Sequence, residues 1–384
     1  MRGLVAIGLM SGTSLDGVDV ALIETDGSRI DRFGPTGYRA YSETERDLLR
    51  NALNAGAALS DRAARPGVIA QAEELTTCAH AEAVEQFLAT NSIASHAVDV
   101  IGFHGQTILH RPQHQLTVQI GDGQALAERL GILVVFDFRA ADVAADGQGA
   151  PLVPIFHQAL TRDLDRPHPI AVLNVGGVAN VSYVNGNDEP IACDTGPGNA
   201  LLDDFMRART GEPLDRDGGG ASAGRVDEAF VARVLEDPFF AQHCPKSLDR
   251  NAFAAANLGL SELSVADGAA TLTAVTAAAA ASVVPHLPEP PRTWIVAGGG
   301  ARNLTLLRML RQRLSPAAVV TAEAVGWSGD SLEAQAFAYL AVRHLRGFPI
   351  TFPTTTGVGQ PMAGGVLAVP EALAPITATA RPRG

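Results

Sequence analysis

Short apolar runs alternate with glycine-bearing polar loops along most of the chain. The run LVAIGLM at 4–10 predicts a strand, the polar loop after it a turn, and the alternating VDVALIET at 18–25 a second strand. The two form a hairpin whose connection is too long and too polar for a tight turn. Residues 43–91 are Ala-rich with charged flanks and predict helix. VDVIGFHG at 98–105 and LTVQIG at 116–121 predict strands, GQALAERLG a short helix stopped by Gly131, and ILVVFDF a strand after it. Near residue 168 the opening theme restarts: PIAVLNVGG is a strand, GGVAN a glycine turn and VSYV a second strand. PIACDTGPGN predicts a strand ending in a Gly/Pro loop, with LLDDFMRART as the helix beyond it. The proline-rich HLPEPPR at 286–292 is a break. WIVAGGG is a strand running into glycines, RNLTLLRMLRQRL an amphipathic helix, and 330–347 a long helix with Gly347 as its stop.

Strands alternate with helices throughout, which predicts an α/β protein. The 384 residues suit two domains, and the restart divides them into 1–167 and 168–384.

Three glycine loops follow strands. The first, Met10 to Asp19, carries Gly12, Thr13, Ser14, Leu15, Asp16, Gly17, Val18 and Asp19. Bare backbone N–H groups and hydroxyls suit phosphate oxygens, and Asp16 is a candidate Mg²⁺ ligand, directly or through water. The second contains Asn174, Gly176 and Gly177. The third, Gly298, Gly299 and Gly300, lies between a strand and a helix, where a nucleobase or ribose can rest on backbone or where the chain simply turns. Three such loops across two halves favour a bound nucleotide over unrelated turns. No G-x-x-x-x-G-K-[ST] and no G-x-G-x-x-G occurs, which sets aside a Walker loop, a Rossmann site and a protein-kinase glycine loop. A phosphate-binding hairpin in each half remains, as in actin and hexokinase.

Asp194 ends a strand in Cys193-Asp194-Thr195-Gly196-Pro197-Gly198-Asn199. A carboxylate there fits a general base, an Mg²⁺ partner, or a turn-forming cap. His104 and Gln106 follow a buried strand and suit either a sugar or a structural hydrogen bond. Gly220 to Gly224 matches the G-x-S-x-G hydrolase pattern, but no strand precedes it. His110 and His114 are spaced i,i+4 with Pro112 between them, and no third metal ligand is evident.

The net charge of −12 argues against a nucleic-acid partner. Three cysteines without CxxC spacing predict unpaired thiols in a reducing cytoplasm. The N-terminal apolar run is too short for a signal peptide. The uncharged stretch 268–285 has the length of a membrane span but is mostly Ala and Thr, which predicts a buried helix and no membrane partner.

Six motifs in order resemble one family. They are Met10 to Asp19, Phe103 to Thr107, Asp146 to Pro154, Asp194 to Asn199, Gly298 to Asn303, and Leu332-Glu333-Ala334-Gln335-Ala336-Phe337. Together they resemble the anhydro-N-acetylmuramic acid kinases, sugar kinases of the actin/hexokinase-like (RNase H-like) superfold, and span nearly the whole chain. The resemblance implies two actin-like domains with ATP in the cleft between them, and ATP with Mg²⁺ as cofactors. It implies cleavage of the 1,6-anhydro bond of a small amino sugar with phosphorylation of O6, in peptidoglycan recycling. It further implies that the segment from Gly12 to Asp19 binds ATP, that Asp194 is the catalytic aspartate, and that the protein is a homodimer. Arg139 and Glu333, within family-like motifs, are candidates for the sugar pocket. The competing readings are another carbohydrate kinase of the same superfold, or an actin-like ATPase.

Overall fold

A computed structural model describes residues 2–12, 14–248, 253 and 260–373. Thr13, one of the expected phosphate-loop residues, lies outside the described residues.

The described chain divides into two compact units. The first takes the residues up to Gly149, Glu333–Ile350 and those from Met362 on; the second takes Ala150–Leu332 and Thr351–Pro361. The sequence pattern predicts a single crossing at 167. The chain instead leaves the first unit after Gly149 and returns at Glu333. The return has a packing cause. The helix Leu332–Leu345 lies directly on two strands of the first unit, through glycines that let backbone meet backbone. A Cβ on Gly8 would sit 1.7 Å from the Ala334 carbonyl oxygen, and one on Gly102 would sit 2.0 Å from that of Phe337.

The first unit holds a six-stranded sheet. Its strands are β1 (Leu4–Met10), β2 (Gly17–Thr25), β3 (Ile30–Ala40), β4 (Val100–Phe103), β7 (Leu133–Phe136) and β13 (Val366–Ala368), in the order β13-β7-β4-β1-β2-β3. A separate hairpin pairs β5 (Gln106–Arg111) with β6 (Leu116–Ile120). The second unit holds β8 (Ile170–Val175), β9 (Val178–Val184), β10 (Ile191–Pro197), β11 (Thr293–Ala297) and β12 (Ala318–Thr321), in the order β10-β9-β8-β11-β12. In each unit the first strand pairs antiparallel with the second, and the second with the third. In each unit the first strand also pairs parallel with the fourth, and the fourth with the fifth. The same 3-2-1-4-5 core sheet therefore occurs twice. This duplicated topology is the actin/hexokinase-like fold that the repeated strand–glycine–strand theme predicted.

The expected helix over 43–91 is two helices, Glu43–Gly56 and Val68–Thr90. Ser42 starts the first with a capping box: the Glu45 N–H donates to Ser42 Oγ, and Glu45 accepts the Ser42 N–H. The intervening loop brings Arg62 to Asp137 and Arg65 to Glu73 as ion pairs.

The Ala/Thr stretch is the helix Val265–Ser282, long and apolar enough to cross a membrane by length and composition, and buried from Gly268 through Ala280 inside the second unit. Its small side chains permit close approach. Its hydroxyls are satisfied within the protein: Thr271 donates to the Asp267 carbonyl, Thr273 to that of Ala269 and Thr276 to that of Gly198.

The cysteines correct one expectation. Cys193 and Cys244 form a disulfide across 51 residues, with their Cα atoms 5.2 Å apart; Cys78 is free and exposed. The spacing of the pair in sequence gives no sign of this, because the contact exists only once the segment after residue 242 folds back on β10.

Candidate active site

In the first unit the candidate residues gather around the β1–β2 loop. Ser11, at the end of β1, is buried, and its hydroxyl donates to Gln106 Oε1 at 2.6 Å. Gln106 donates its own N–H to the Gly12 carbonyl at 3.2 Å, and Tyr41 lies 3.1 Å from the Ser11 hydroxyl. Burial pushes the Tyr41 phenol up to about 12, so it stays a neutral hydrogen-bonding group. Gln106 is thus wholly internal and occupied with the loop. Leu15 has a φ of 55°, and its N–H closes a turn on the Gly12 carbonyl. Asp16 is exposed and accepts the Ser14 hydroxyl at 2.7 Å. Gly17, Val18 and Asp19 already belong to β2.

A second cluster of the same unit joins His104, Arg139 and Glu333. Arg139 donates to the Gly149 carbonyl at 2.8 Å, and its Nη2 lies 3.1 Å from His104 Nε2. Burial lowers the His104 imidazole to about 3, with the Arg139 charge acting in the same direction, so the ring is neutral. Burial brings Arg139 itself down to about 10, opposed by Glu333 and Asp142. The Glu333 side chain reaches solvent, yet the surrounding protein desolvates its carboxyl and raises it, while Arg139 pulls it down. Sequence reasoning missed Asp142, which is buried and accepts the Gly149 N–H at 2.6 Å. That bond fixes the carbonyl against which Arg139 rests. Its only mark in sequence was its place just before the Asp146–Pro154 run.

In the second unit the other two glycine loops meet. The Gly176 carbonyl accepts the Asn199 N–H at 2.7 Å, and the Gly177 carbonyl accepts those of Gly198 and Ala200. Asn199 Nδ2 donates to the Val175 carbonyl at 3.1 Å. Gly298 has a φ of 74°, and a Cβ there would lie 2.4 Å from Asn174 Oδ1. Asn174, Gly176, Gly177, Gly298, Gly299, Gly300 and the start of the helix Ala200–Thr210 therefore form one surface of backbone and small side chains.

Asp194 lies on β10 beside that surface, where the pairing with β9 shifts register between Asp194 and Gly196. Its N–H donates to the Lys246 carbonyl at 2.9 Å, and its Oδ2 accepts the Leu248 N–H at 2.7 Å. Burial raises its carboxyl to about 6 against the lowering effects of the Leu248 hydrogen bond and the Lys246 charge. The residues that hold Asp194, Lys246 and Leu248, carried no motif that sequence reasoning used.

Two other motifs are settled by their surroundings. Ser222 of the G-x-S-x-G match sits in the short helix Gly219–Ser222 and donates to the Gly219 carbonyl, so it is no nucleophile elbow. His110 Nδ1 lies 3.0 Å from Thr117 Oγ1, and no cluster of three metal-ligating side chains occurs among the described residues.

A duplicated RNase H-like sheet, with a glycine loop after the first strand of each copy, defines a protein of the actin/hexokinase-like class, and its partly desolvated carboxylate sits at a break in strand pairing within β10 rather than at the strand end that the sequence pattern predicts. Residues 4–370 match the family model described as anhydro-N-acetylmuramic acid kinase. The chain is 62% identical over 367 residues to an anhydro-N-acetylmuramic acid kinase of Rhodopseudomonas palustris, covering 96% of this chain and 100% of that relative. It is 60% identical, with the same coverage, to one of Bradyrhizobium diazoefficiens. This chain belongs to the anhydro-N-acetylmuramic acid kinase family. Among solved structures, component A of (R)-2-hydroxyglutaryl-CoA dehydratase from Acidaminococcus fermentans matches with a TM-score of 0.47 and 11% identity, over 88% of this chain and 98% of that one. A ROK family glucokinase from Streptomyces griseus, in complex with glucose and AMPPNP, matches with a TM-score of 0.37 and 15% identity, over 88% and 99%.

Proposed function

We propose that this protein uses ATP to open the 1,6-anhydro ring of anhydro-N-acetylmuramic acid and to phosphorylate O6. The products are N-acetylmuramic acid 6-phosphate and ADP, in peptidoglycan recycling. The observation that carries this reading is Asp194: a carboxylate at a break in strand pairing on β10, raised to about 6 by burial and aimed by the Leu248 N–H, in a chain of this family. A general base works best when its pKa approaches the operating pH, and Asp194 meets that condition.

Asp194 accepts a proton from water as the water oxygen bonds to the anomeric carbon through an oxocarbenium-like state. The C1–O6 bond breaks, and O6 bonds to the γ-phosphorus as the bond to ADP breaks. The proton on Asp194 then passes to solvent. No second carboxyl acid is required, because the leaving oxygen moves onto phosphorus as it leaves carbon.

The β1–β2 loop takes the phosphates in this account, with Gln106, Ser11 and Tyr41 holding the loop from behind. The loops at Asn174–Gly177 and Gly298–Gly300 take the nucleoside. Mg²⁺ needs only one or two carboxylates, because it keeps waters and shares phosphate oxygens. The exposed Asp16 carboxylate fits that requirement. The ion, when bound, neutralises phosphate charge. Arg139, oriented by His104, and Glu333 serve the sugar.

The test is ADP release from ATP with different acceptors. Release that requires the anhydro-sugar supports the proposal. Release with plain hexoses and not with the anhydro-sugar indicates another carbohydrate kinase, and release in buffer alone indicates an ATPase.

A further inference from the structure

Of the 29 basic residues in the chain, Lys246 alone is a lysine; every other is arginine. It is also buried, at 7% exposure, and lies beside Asp194. A chain that uses arginine everywhere else has kept the compact ammonium at one internal position. An arginine there would bring a wider, planar group with five donors to satisfy.

The contacts of Lys246 point in two directions. Its Nζ donates to the Phe239 carbonyl at 2.9 Å and lies 4.4 Å from the centroid of the Phe239 ring. Its backbone carbonyl accepts the Asp194 N–H at 2.9 Å, and two residues on, the Leu248 N–H donates to Asp194 Oδ2 at 2.7 Å. The Cys193–Cys244 disulfide ties the start of the same segment to β10, next to Asp194. One short stretch therefore grips Asp194 by both main chain and carboxylate, and Phe239 fixes the cation that the stretch carries.

We propose that Lys246 is a positioning residue for Asp194, its fixed ammonium and the backbone on either side keeping the carboxylate charged and aimed for water activation. This rests on the reading of Asp194 as the base. The electrostatics are reciprocal: the Lys246 charge lowers the Asp194 carboxyl against burial, and Asp194 raises the Lys246 ammonium against burial. Across the strand pair Asp194 faces the uncharged Asn180, and on the other side Lys246 is the charged group that acts on it among the described residues. Phe239 offers the ammonium a carbonyl and a ring.

The experiment compares kcat/KM against pH for wild type, Lys246→Met and Lys246→Arg, together with one spectroscopic titration. Removing the cation leaves burial opposed only by the Leu248 hydrogen bond, so the acid limb of Lys246→Met moves upward by about one pH unit, and the loss at pH 6 exceeds that at pH 9 by about fivefold. Lys246→Arg keeps the charge, so its limb stays where the wild-type limb lies while its plateau falls. An equal loss at all pH values in Lys246→Met, with the limb unmoved, overturns the proposal. The spectroscopic arm does not depend on the Lys246 variants folding. Wild type grown on [ε-¹³C]lysine gives a single ε-carbon resonance, because the chain has one lysine. That resonance should show a step where Asp194 titrates, and Asp194→Asn should abolish the step. A titration without the step, or with the step unchanged in Asp194→Asn, also overturns the proposal. A step in the spectrum with no acid limb in the kinetics instead rejects Asp194 as the base, which separates the two claims.

Discussion

His104 Nε2 lies 3.1 Å from Arg139 Nη2, while its Nδ1 lies 2.8 Å from the Gly105 carbonyl. A guanidinium can only donate and a carbonyl can only accept, so the imidazole carries its proton on Nδ1 and accepts at Nε2. The ring also tilts against Phe337, with centroids 4.7 Å apart. The histidine is therefore held on three sides and holds the arginine in turn.

His104→Leu should leave that Arg139 donor unpaired in a partly buried setting. The expected result is a rise of about tenfold in KM for the anhydro-sugar, with KM for ATP little changed; an unpaired buried donor costs about 1–3 kcal/mol. His104→Gln, which keeps an acceptor, should lose less. Steady-state kinetics with each substrate varied checks both. Equal KM values in His104→Leu and wild type would remove His104 from the sugar site.

Gln106→Leu strips the Ser11 hydroxyl and the Gly12 carbonyl of their shared partner. It should cost about 1–3 kcal/mol of stability and also raise KM for ATP, because it loosens the phosphate loop. Denaturant titration and ATP kinetics on one preparation measure the two effects. A stability loss with unchanged ATP kinetics would mean that the loop does not bind ATP.

The fold was legible wherever a local pattern repeats. LVAIGLM followed by a glycine loop, and PIAVLNVGG followed by GGVAN, announced the two copies of the sheet, and three glycine loops announced the nucleotide reading. What stayed hidden depends on contacts distant in sequence. Nothing in LEAQAFAYLAVRHL says that this helix rejoins the first unit; the reason lies far back along the chain, in Gly8 and Gly102. The Cys193–Cys244 contact and the role of Lys246 likewise arise only when residues 243–248 fold back onto β10. Gln106 was visible as a polar residue after a strand, but its direction, inward to Ser11 and not outward, was not.

Gly8→Ala tests that helix-to-sheet contact. The added methyl would meet the Ala334 carbonyl oxygen at 1.7 Å, and backbone on both sides cannot yield as a flexible side chain can. Overpacking of this kind should cost about 3 kcal/mol or more. Thermal unfolding at fixed pH measures it, and a melting temperature within a degree of wild type would contradict the packing described.

Asp194→Asn should stabilise the protein at neutral pH while disabling it. The folded-state carboxyl titrates at about 6, above its ordinary 3.8. The native state therefore binds the proton more tightly than the unfolded state does. Folding is favoured by this group below pH 3.8, and that advantage is lost as pH rises through 6. At pH 8 the charge is a net penalty of at most about 3 kcal/mol, each tenfold difference in proton affinity being worth about 1.4 kcal/mol. The asparagine carries no such charge. Its melting temperature should exceed that of wild type at pH 8, with the difference closing toward pH 4. A difference independent of pH would show that the carboxyl is not desolvated.

Isotope placement shows which atom the water attacks. The reaction is run with anhydro-N-acetylmuramic acid and ATP in ¹⁸O-water, and the product is reduced at once, before anomeric exchange can blur the label. If Asp194 activates water toward the anomeric carbon, mass spectrometry will find one ¹⁸O at C1 and none in the phosphate. Asp194→Asn, under the same conditions, will give product at a rate lower by about 10²–10⁴-fold, the usual cost of losing a general base. Label in the phosphate, or near-normal turnover by Asp194→Asn, would contradict the account.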